Sequence, residues 1–310
     1  QQSSDQLEAH EILVDSLLDT LTQSENATEL ADNWARLAAH FDTLFTTEQS
    51  IDKLKQTILQ LAVMGRLVEQ DERDEPASIL LNKIEEIERR LLAAGRIRRK
   101  KPGKTITNQS LQQLPKGWAL TSLSQLGRFS GGKTPSKSKS QFWDGEIPWV
   151  TPKDMKVQYI TGSEDKVTQL AVDEGLELYS ENAILFVVRS GILRRMFPTA
   201  ISRVPCTVNQ DLKVLTPHAS ELSEYIQLMM LGFEQFILSD LTKTGTTVES
   251  LKFEEFANCQ FPIPPRQEQV RIIQRVQELT ALCNQLKEHL NHASETRYQL
   301  AEAVVEGALS

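Results

Sequence analysis

Polar and basic side chains cluster in short loops in the middle of the chain. Residues 131–140 (Gly-Gly-Lys-Thr-Pro-Ser-Lys-Ser-Lys-Ser) offer lysines and hydroxyls on a backbone with little apolar content. Such groups suit phosphate oxygens, and a loop of this kind can follow the groove of a nucleic acid. The candidate contacts are Lys133, Thr134, Lys137 and Lys139. A plain solvated surface loop is the alternative interpretation.

Further segments carry side chains that can contact bases. Residues 147–154 surround a short strand end, where Trp149 suits the protein core as well as it suits a base. Residues 189–195 form an arginine-rich turn, and guanidinium groups can bind guanine edges bidentately. The amides at 209–210 can read adenine, or they can cap a turn. A glycine-centred loop at 242–248 adds hydroxyls. The candidates are Trp149, Thr151, Lys153, Arg189, Arg194, Arg195, Asn209, Gln210, Thr244, Thr246 and Thr247.

One match to a phosphate-binding loop, G-x-x-x-x-G-K-[ST] at residues 127–134, lacks the context that this motif needs. The motif requires a helix that begins within it, but Pro135 pushes Thr134 away from helical backbone angles. No Asn/Asp-Pro-Pro-Tyr/Phe tetrapeptide of a DNA methyltransferase is present. We therefore expect neither nucleotide hydrolysis nor methyl transfer.

Two short patterns, Glu164-Asp-Lys166 and Asp211-Leu-Lys213, match the carboxylate-x-Lys half of a metal-dependent nuclease site. Such a site needs another converging carboxylate, and Asp154 is the only nearby candidate. The three cysteines and five histidines have no metal-ligand spacing. We expect no catalytic residue and no metal site in this chain. An enzyme that acts alone on DNA is a weaker alternative.

The chain is acidic overall, but its middle part is not. The 310 residues have a formal net charge of −8, which argues against DNA binding. Residues 116–213, however, hold 13 Lys/Arg against 10 Asp/Glu, and residues 89–104 are basic with no acid. An odd number of scattered cysteines favours a reducing compartment, and no apolar run approaches a membrane span. We expect a cytoplasmic protein, and the first residue is Gln1, so the native start is expected to lie upstream.

The pattern of apolar residues predicts an α+β protein in which a mixed α/β domain is flanked by helical regions. Residues 1–95 are predicted to be helical, with the strongest helix at 51–68, and residues 96–107 to be a basic linker. Residues 108–265 carry short strand-like runs at 118–123, 147–150, 183–188 and 208–215, with a helix at 221–238. Residues 266–310 are predicted to form one long coiled-coil helix, about 65 Å long at ~1.5 Å per residue.

The long helix carries an apolar seam whose steps alternate between four and three residues, which is typical of a coiled coil. The helix at 51–68 repeats part of this seam at a constant offset, although two amphipathic helices can also match by chance. The predicted interface positions are Ile51, Ile58, Ile272, Val276, Leu279, Leu286, Leu290, Leu300 and Val304.

Taken in order, several fragments make residues 50–310 resemble the target-recognition domain of type I restriction-modification specificity subunits. The fragments are Ile51-Asp-Lys-Leu-Lys, Gly65-Arg-Leu-Val, Asp74-Glu-Pro-Ala, Leu114-Pro-Lys-Gly-Trp, Ser130-Gly-Gly-Lys-Thr-Pro, Ile147-Pro-Trp-Val-Thr-Pro-Lys-Asp, Gly191-Ile-Leu, Asn209-Gln-Asp, Gly245-Thr-Thr-Val-Glu-Ser-Leu, Phe261-Pro-Ile-Pro-Pro and Gln267-Glu-Gln. Each fragment is weak alone, and their order and spacing make the joint pattern specific.

The resemblance implies a non-catalytic subunit that reads one half of a split site in double-stranded DNA. In that family, methyltransferase subunits bring S-adenosylmethionine and methylate adenine, and restriction subunits bring ATP and Mg for translocation and cleavage. This chain departs from the pattern, since it has one recognition domain where two are usual. It is expected to be half of a longer subunit or a half-size subunit that pairs with itself. A coiled-coil scaffold that binds only proteins is the alternative function.

Overall fold

The structure is a computed structural model that describes residues 2–25, 27–98, 103, 106–107, 113–245 and 248–309. The chain divides into two compact units, one formed by Gln1–Asp71 with Val270–Ser310 and the other by Glu72–Gln269. Within the described residues, no helix combines the length and the apolar character that crossing a membrane requires. The predicted α+β class is confirmed.

The helices occupy both ends of the chain and are short in its middle. They are α1 (Gln2–Thr22), α2 (Ala27–Ala38), α3 (Phe41–Leu44), α4 (Glu48–Val63), α5 (Ala77–Ala93), α6 (Leu123–Leu126), α7 (Gln169–Asp173), α8 (Ser223–Gly232), α9 (Glu234–Asp240), α10 (Phe253–Asn258) and α11 (Arg266–Leu309).

The strands all lie between α5 and α11. They are β1 (Ile106–Thr107), β2 (Ala119–Ser122), β3 (Gly127–Gly131), β4 (Trp143–Val150), β5 (Tyr159–Ile160), β6 (Lys166–Val167), β7 (Ile184–Val187), β8 (Thr199–Ser202), β9 (Thr207–Val208), β10 (Leu212–Pro217), β11 (Thr242–Lys243), β12 (Ser250–Leu251) and β13 (Cys259–Ile263).

Helix α4 is the core element of the first unit. Thr47 caps it, because its hydroxyl accepts from Ser50 N at 3.1 Å. Ile51, Leu54 and Ile58 are buried. The helix ends at Val63, five residues before the predicted end. Gly65 adopts a left-handed φ of +69°, which glycine tolerates better than residues with a side chain and which stops the helix.

Helix α11 packs antiparallel to α4 within this unit. Lys287 Nζ of α11 lies 2.6 Å from Asp52 Oδ1 of α4. Burial raises the pKa of the Cys283 thiol on α11, and the charge of Lys55, one turn further along α4, has the smaller opposite effect. Leu54 and Ile58 also line an apolar groove together with Leu279, Cys283 and Leu286. The long helix is therefore confirmed, and part of its seam is covered by this chain itself.

The predicted interface positions differ in their surroundings. Ile51, Ile58, Ile272 and Val276 are buried, and Leu279, Leu286 and Leu290 are half-buried. Ile51 and Ile58 thus lie in the core of the first unit. Every side chain from 291 to 296 is exposed. The side chains of Leu300 and Val304 lie outside the described residues.

The second unit is built on a five-stranded sheet of order β3-β10-β7-β8-β5. Its central strand β7 is buried on both faces, as the continuous apolar run at 183–188 predicts. Leu185 and Val187 join the apolar cluster on one face, and Phe186 stacks on Phe197 with ring centroids 6.0 Å apart. A smaller sheet of order β6-β4-β9 packs its aromatic residues into a second cluster.

Three boundaries differ from the sequence-based predictions. Ile106 and Thr107 were predicted as linker but pair in parallel with β13. Strand pairing at a sheet edge uses backbone hydrogen bonds, which most side chains allow. Helix α5 belongs to the second unit, where Ala77 N donates to Gly117 O at 2.8 Å. The single helix expected at 221–238 is interrupted at Phe233, directly after Gly232, which is a weak helix former.

Candidate nucleic-acid interface

Several predicted loops meet at one end of the five-stranded sheet. The pairs Lys213↔Gly131 and Leu212↔Val187 bring the ends of β3 and β7 beside the start of β10. Val188 N donates to Asp211 O at 2.8 Å, and Leu251 N donates to Val188 O at 2.8 Å. Segments 131–140, 188–195, 209–211, 242–245 and 248–251 therefore share one surface, which we call the loop face.

Gly132 allows two of these segments to touch. A Cβ at this position would stand 2.1 Å from the carbonyl oxygens of both Val208 and Asn209. Lys133 N donates to Val208 O at 3.1 Å, so the backbone of the lysine loop is attached to the end of β9. Residues 127–131 form β3, so the apparent phosphate-loop motif has its first half in a sheet and not in a loop before a helix.

Trp149 is a core residue and does not lie open to a base. It is 6% exposed and packs with Phe142, Val167 and Leu176. Its indole Nε1 donates to Lys133 O at 3.0 Å, which satisfies the one polar atom of the ring. This packing favours the core interpretation of Trp149 over the predicted base contact.

Thr151 and Asn209 are also turned inward. Both side chains are buried. Thr151 Oγ1 donates to Asp154 Oδ2 at 3.0 Å in a local cap. Asn209 Oδ1 accepts from Asp211 N at 3.0 Å, which is the turn chemistry left open as an alternative. The structure gives both side chains a local structural role, which favours the turn and cap interpretation over the predicted DNA contact.

Other candidates remain open on the loop face. Lys133, Lys137 and Arg195 are exposed, and none of them has an ion-pair partner among the described residues. Thr134 donates its hydroxyl to Gln210 Oε1, which joins the lysine loop to the β9–β10 turn. Gln210 and Thr244 are exposed. Thr246 and Thr247 lie outside the described residues.

Two lysines are held by surface carboxylates. Lys139 Nζ lies 3.1 Å from Glu174 Oε2, and Lys153 Nζ lies 3.2 Å from Glu164 Oε2. The hydrogen bond to Glu164 raises the pKa of Lys153. Exposed pairs of this kind contribute little to stability, so a phosphate can replace the carboxylate at small cost.

Arg189 and Arg194 stand on the same turn after β7. Arg189 Nε donates to Asp211 Oδ1 at 2.7 Å, and Arg194 Nε donates to Glu249 Oε1 at 2.5 Å. The hydrogen bond from Arg194 lowers the pKa of Glu249. Sequence reasoning did not assign these two acids to the arginines. Their separations of 22 and 55 residues leave no local signal.

The nuclease-like patterns do not form a metal centre in the described part of the chain. Asp154 and Glu164 do come together, because Asp154 Oδ1 accepts from Glu164 N at 2.9 Å. Asp154 Oδ2 is already bound by Thr151, so the carboxylate is occupied by its own loop. Among the described residues, no group of three or more His, Cys, Asp or Glu side chains is arranged to hold a metal ion.

Comparison with known protein families covers the same part of the chain. The family described as the type I restriction modification DNA specificity domain matches residues 115–295, more than half of the chain. This chain belongs to that family. The match includes every candidate DNA contact and the first part of α11.

Curated relatives in this specificity family match along the full chain. The EcoAI specificity subunit of Escherichia coli is 36% identical over 318 residues, covering 100% of this chain and 53% of the relative. The EcoEI specificity subunit of Escherichia coli is 33% identical over 320 residues, covering 100% of this chain and 54% of the relative. The chain thus spans about half the length of the curated relatives it matches.

Solved structures share the fold of this specificity domain. The HsdS subunit from Thermoanaerobacter tengcongensis superposes with a TM-score of 0.52 at 15% identity, covering 96% of this chain and 57% of that chain. A chain solved in work on complex assembly and conformational transition of the type I R-M system gives a TM-score of 0.53 at 15% identity, covering 87% of this chain and 57% of that chain.

Proposed function

We propose that this chain is the DNA-recognition part of a type I restriction-modification specificity subunit and reads one half of a bipartite duplex site. The observation that carries the proposal is the loop face. Its exposed cations include Lys133, Lys137, Arg189, Arg194 and Arg195, which come from two segments far apart in sequence. Lysines on phosphates supply salt-dependent affinity, and arginines at base edges supply discrimination.

The chemistry belongs to partner subunits in this proposal. Methyltransferase subunits bind S-adenosylmethionine and methylate adenine, and restriction subunits use ATP and Mg to translocate and cleave the DNA. This chain directs them to the site, binds none of these cofactors and works in the cytoplasm. The carboxylates of the nuclease-like patterns are engaged in ion pairs and turns, which supports a recognition role.

The helical unit sets the distance to a second recognition domain, which belongs either to a longer subunit or to a second copy of this chain. Helix α4 covers α11 near Leu279 and Cys283. Residues 291–296 of α11 are exposed on this chain, and a helical strut of this length is suited to pair with a second one. This arrangement supports pairing with a related half and offers a platform for methyltransferase subunits.

The class of function is tested by co-expressing the chain with its neighbouring methyltransferase and mapping methylated adenines. A two-part motif is expected. A palindromic two-part motif would favour two copies of this chain, and an asymmetric motif would favour a longer subunit with two different domains. No adenine methylation at a defined motif would contradict the proposal.

The DNA-binding face is tested by the salt dependence of binding. Lys137→Ala should weaken binding to all duplexes alike and lower the slope of log affinity against log salt by about 1. Lys83→Ala is the matched control, because Lys83 is an exposed lysine on α5, away from the loop face. Arg194→Ala should relax sequence preference. A protein-binding scaffold would show no salt-sensitive DNA binding and no preference among duplexes.

A further inference from the structure

The two arginines of the loop face are attached to the protein in the same way. Each guanidinium donates through Nε to a carboxylate, Arg189 to Asp211 and Arg194 to Glu249. The terminal amino groups of both arginines have no hydrogen-bond partner within the described residues. A guanidinium is a rigid planar fork, so fixing Nε also fixes the direction of the two terminal groups.

Burial differs sharply across each pair. The arginine side chains are 57% and 64% exposed, whereas the side chains of Asp211 and Glu249 are 22% and 9% exposed. A carboxylate this deeply buried is costly unless it is paired, so the pairing with Arg194 is the contact that makes Glu249 tolerable there. The carboxylates thus lie on the protein side and the donor forks on the solvent side.

Backbone contacts hold both carboxylates in place. Ser190 N donates to Glu249 O at 3.1 Å, and Val188 N donates to Asp211 O at 2.8 Å. Asn209 Nδ2 donates to Asp211 Oδ2 at 3.3 Å. Asp211 therefore stands directly before β10 and Glu249 directly before β12, and backbone hydrogen bonds attach both to the turn after β7 without the guanidinium groups.

A carboxylate behind an arginine changes which ligand the arginine prefers. The pair has no net charge, so its attraction for a phosphate is weakened. A guanine edge is neutral and presents two acceptors, O6 and N7, to the terminal groups of the fork. Preorganising the fork also reduces the conformational entropy lost on binding. The arrangement suits a base edge better than it suits the DNA backbone, which the unpaired Lys133 and Lys137 can contact.

We propose that Asp211 and Glu249 are positioning residues that preorganise Arg189 and Arg194 as donor forks for guanine in the major groove. The half-site read by this chain then contains at least one guanine, recognised through N7 and O6. This inference rests on the proposed DNA-recognition function and assigns the base class that the loop face reads.

The test begins by selecting bound sequences from a randomised duplex library with the full chain assembled with its methyltransferase. Each guanine in the selected half-site is then replaced by 7-deazaguanine, which keeps base pairing but lacks the N7 acceptor. We expect a loss of about 5- to 150-fold at one guanine or more. Arg194→Ala or Arg189→Ala should remove the additional effect of 7-deazaguanine at that position.

The positioning role has its own readout, the ratio of specific to non-specific affinity. Glu249→Ala should reduce this ratio and leave non-specific binding equal or tighter, since a negative charge is removed. Glu249→Gln keeps an acceptor for Arg194 Nε and should retain most of the ratio. Glu174→Ala, the matched control, removes an acid paired with Lys139 and should leave the ratio unchanged.

Distinct results overturn the inference and the underlying function. Selected sites without guanine, or 7-deazaguanine effects that persist in both arginine variants, would overturn the inference while DNA binding stands. An unchanged ratio in Glu249→Ala would overturn the positioning role, and Asp211→Asn repeats that measurement if the first variant does not fold. Absence of salt-sensitive binding by the wild-type complex would instead overturn the proposed function.

Discussion

Replacing Trp149 by alanine separates a core role from a base-contacting role. The indole is 6% exposed, packs with its rings perpendicular to Trp143 at 5.0 Å, and donates to Lys133 O at 3.0 Å. If Trp149 is core, its loss should destabilise the second unit strongly. If it were a base-stacking residue, its loss would weaken DNA binding and leave stability unchanged.

The expected magnitude follows from what the side chain contacts. Truncating a buried tryptophan to alanine costs about 3–5 kcal/mol, which includes the cavity that remains. The aromatic pair accounts for roughly 0.5–1.5 kcal/mol of this cost and the hydrogen bond for about 1 kcal/mol. At about 2–4 °C per kcal/mol for a unit of this size, the melting temperature should fall by roughly 6–20 °C.

Trp149→Phe provides a graded comparison. It keeps most of the apolar contact but leaves Lys133 O without its donor, so we expect a loss of about 1–2 kcal/mol. Lys137→Ala is the surface control and should stay within about 0.5 kcal/mol of wild type. Thermal melts followed by far-ultraviolet circular dichroism are suitable, because the signal does not depend on tryptophan fluorescence.

If Trp149→Ala melts together with wild type but loses DNA affinity per folded molecule, the ring contacts DNA and does not support the core. A large fall in melting temperature, with affinity retained by the folded fraction at low temperature, is the outcome expected from the packing of Trp149.

Three further expected outcomes concern a buried carboxylate, the buried cysteines and the close backbone approach at Gly132. Burial raises the pKa of Glu234, so stability falls as pH rises from the ordinary glutamate pKa through the raised one; Glu234→Gln should be more stable than wild type at neutral pH, and an equal advantage in acid would contradict this. Burial raises the pKa of Cys206 to about 12 and of Cys259 to about 11. A thiol reagent at mildly alkaline pH should therefore label the buried cysteines only after denaturation. Full labelling of the native protein would contradict the burial of these thiols. Gly132→Ala should lower the melting temperature, whereas Gly191→Ala, where no atom lies within 4 Å of the added carbon, should leave it unchanged; an equal fall in both variants would count against the close approach.

Local patterns in the sequence were sufficient to predict several helices and strands and to identify the family. The four-three seam predicted the long helix α11, and the apolar run at 183–188 predicted a strand, which the structure shows as the buried β7. The order of short motifs pointed to the specificity family, and the family match agrees. The lysines of the loop at 131–140 and the arginines of the turn at 189–195 were proposed from the sequence as DNA contacts, and their side chains are exposed in the structure. These features depend on periodicity and on loop composition, which neighbouring residues express.

Only the tertiary structure decided which side chains of the candidate interface face outward. Trp149 lies near the end of β4, and Thr151 and Asn209 directly follow β4 and β9; all three are polar or amphipathic, yet the fold places them inside. Arg189 and Arg194 look like free cations in the sequence, but they meet Asp211 and Glu249 through the pairing of distant segments. Burial and ion pairing depend on which segments become neighbours in space, and residues adjacent in sequence carry no record of that choice.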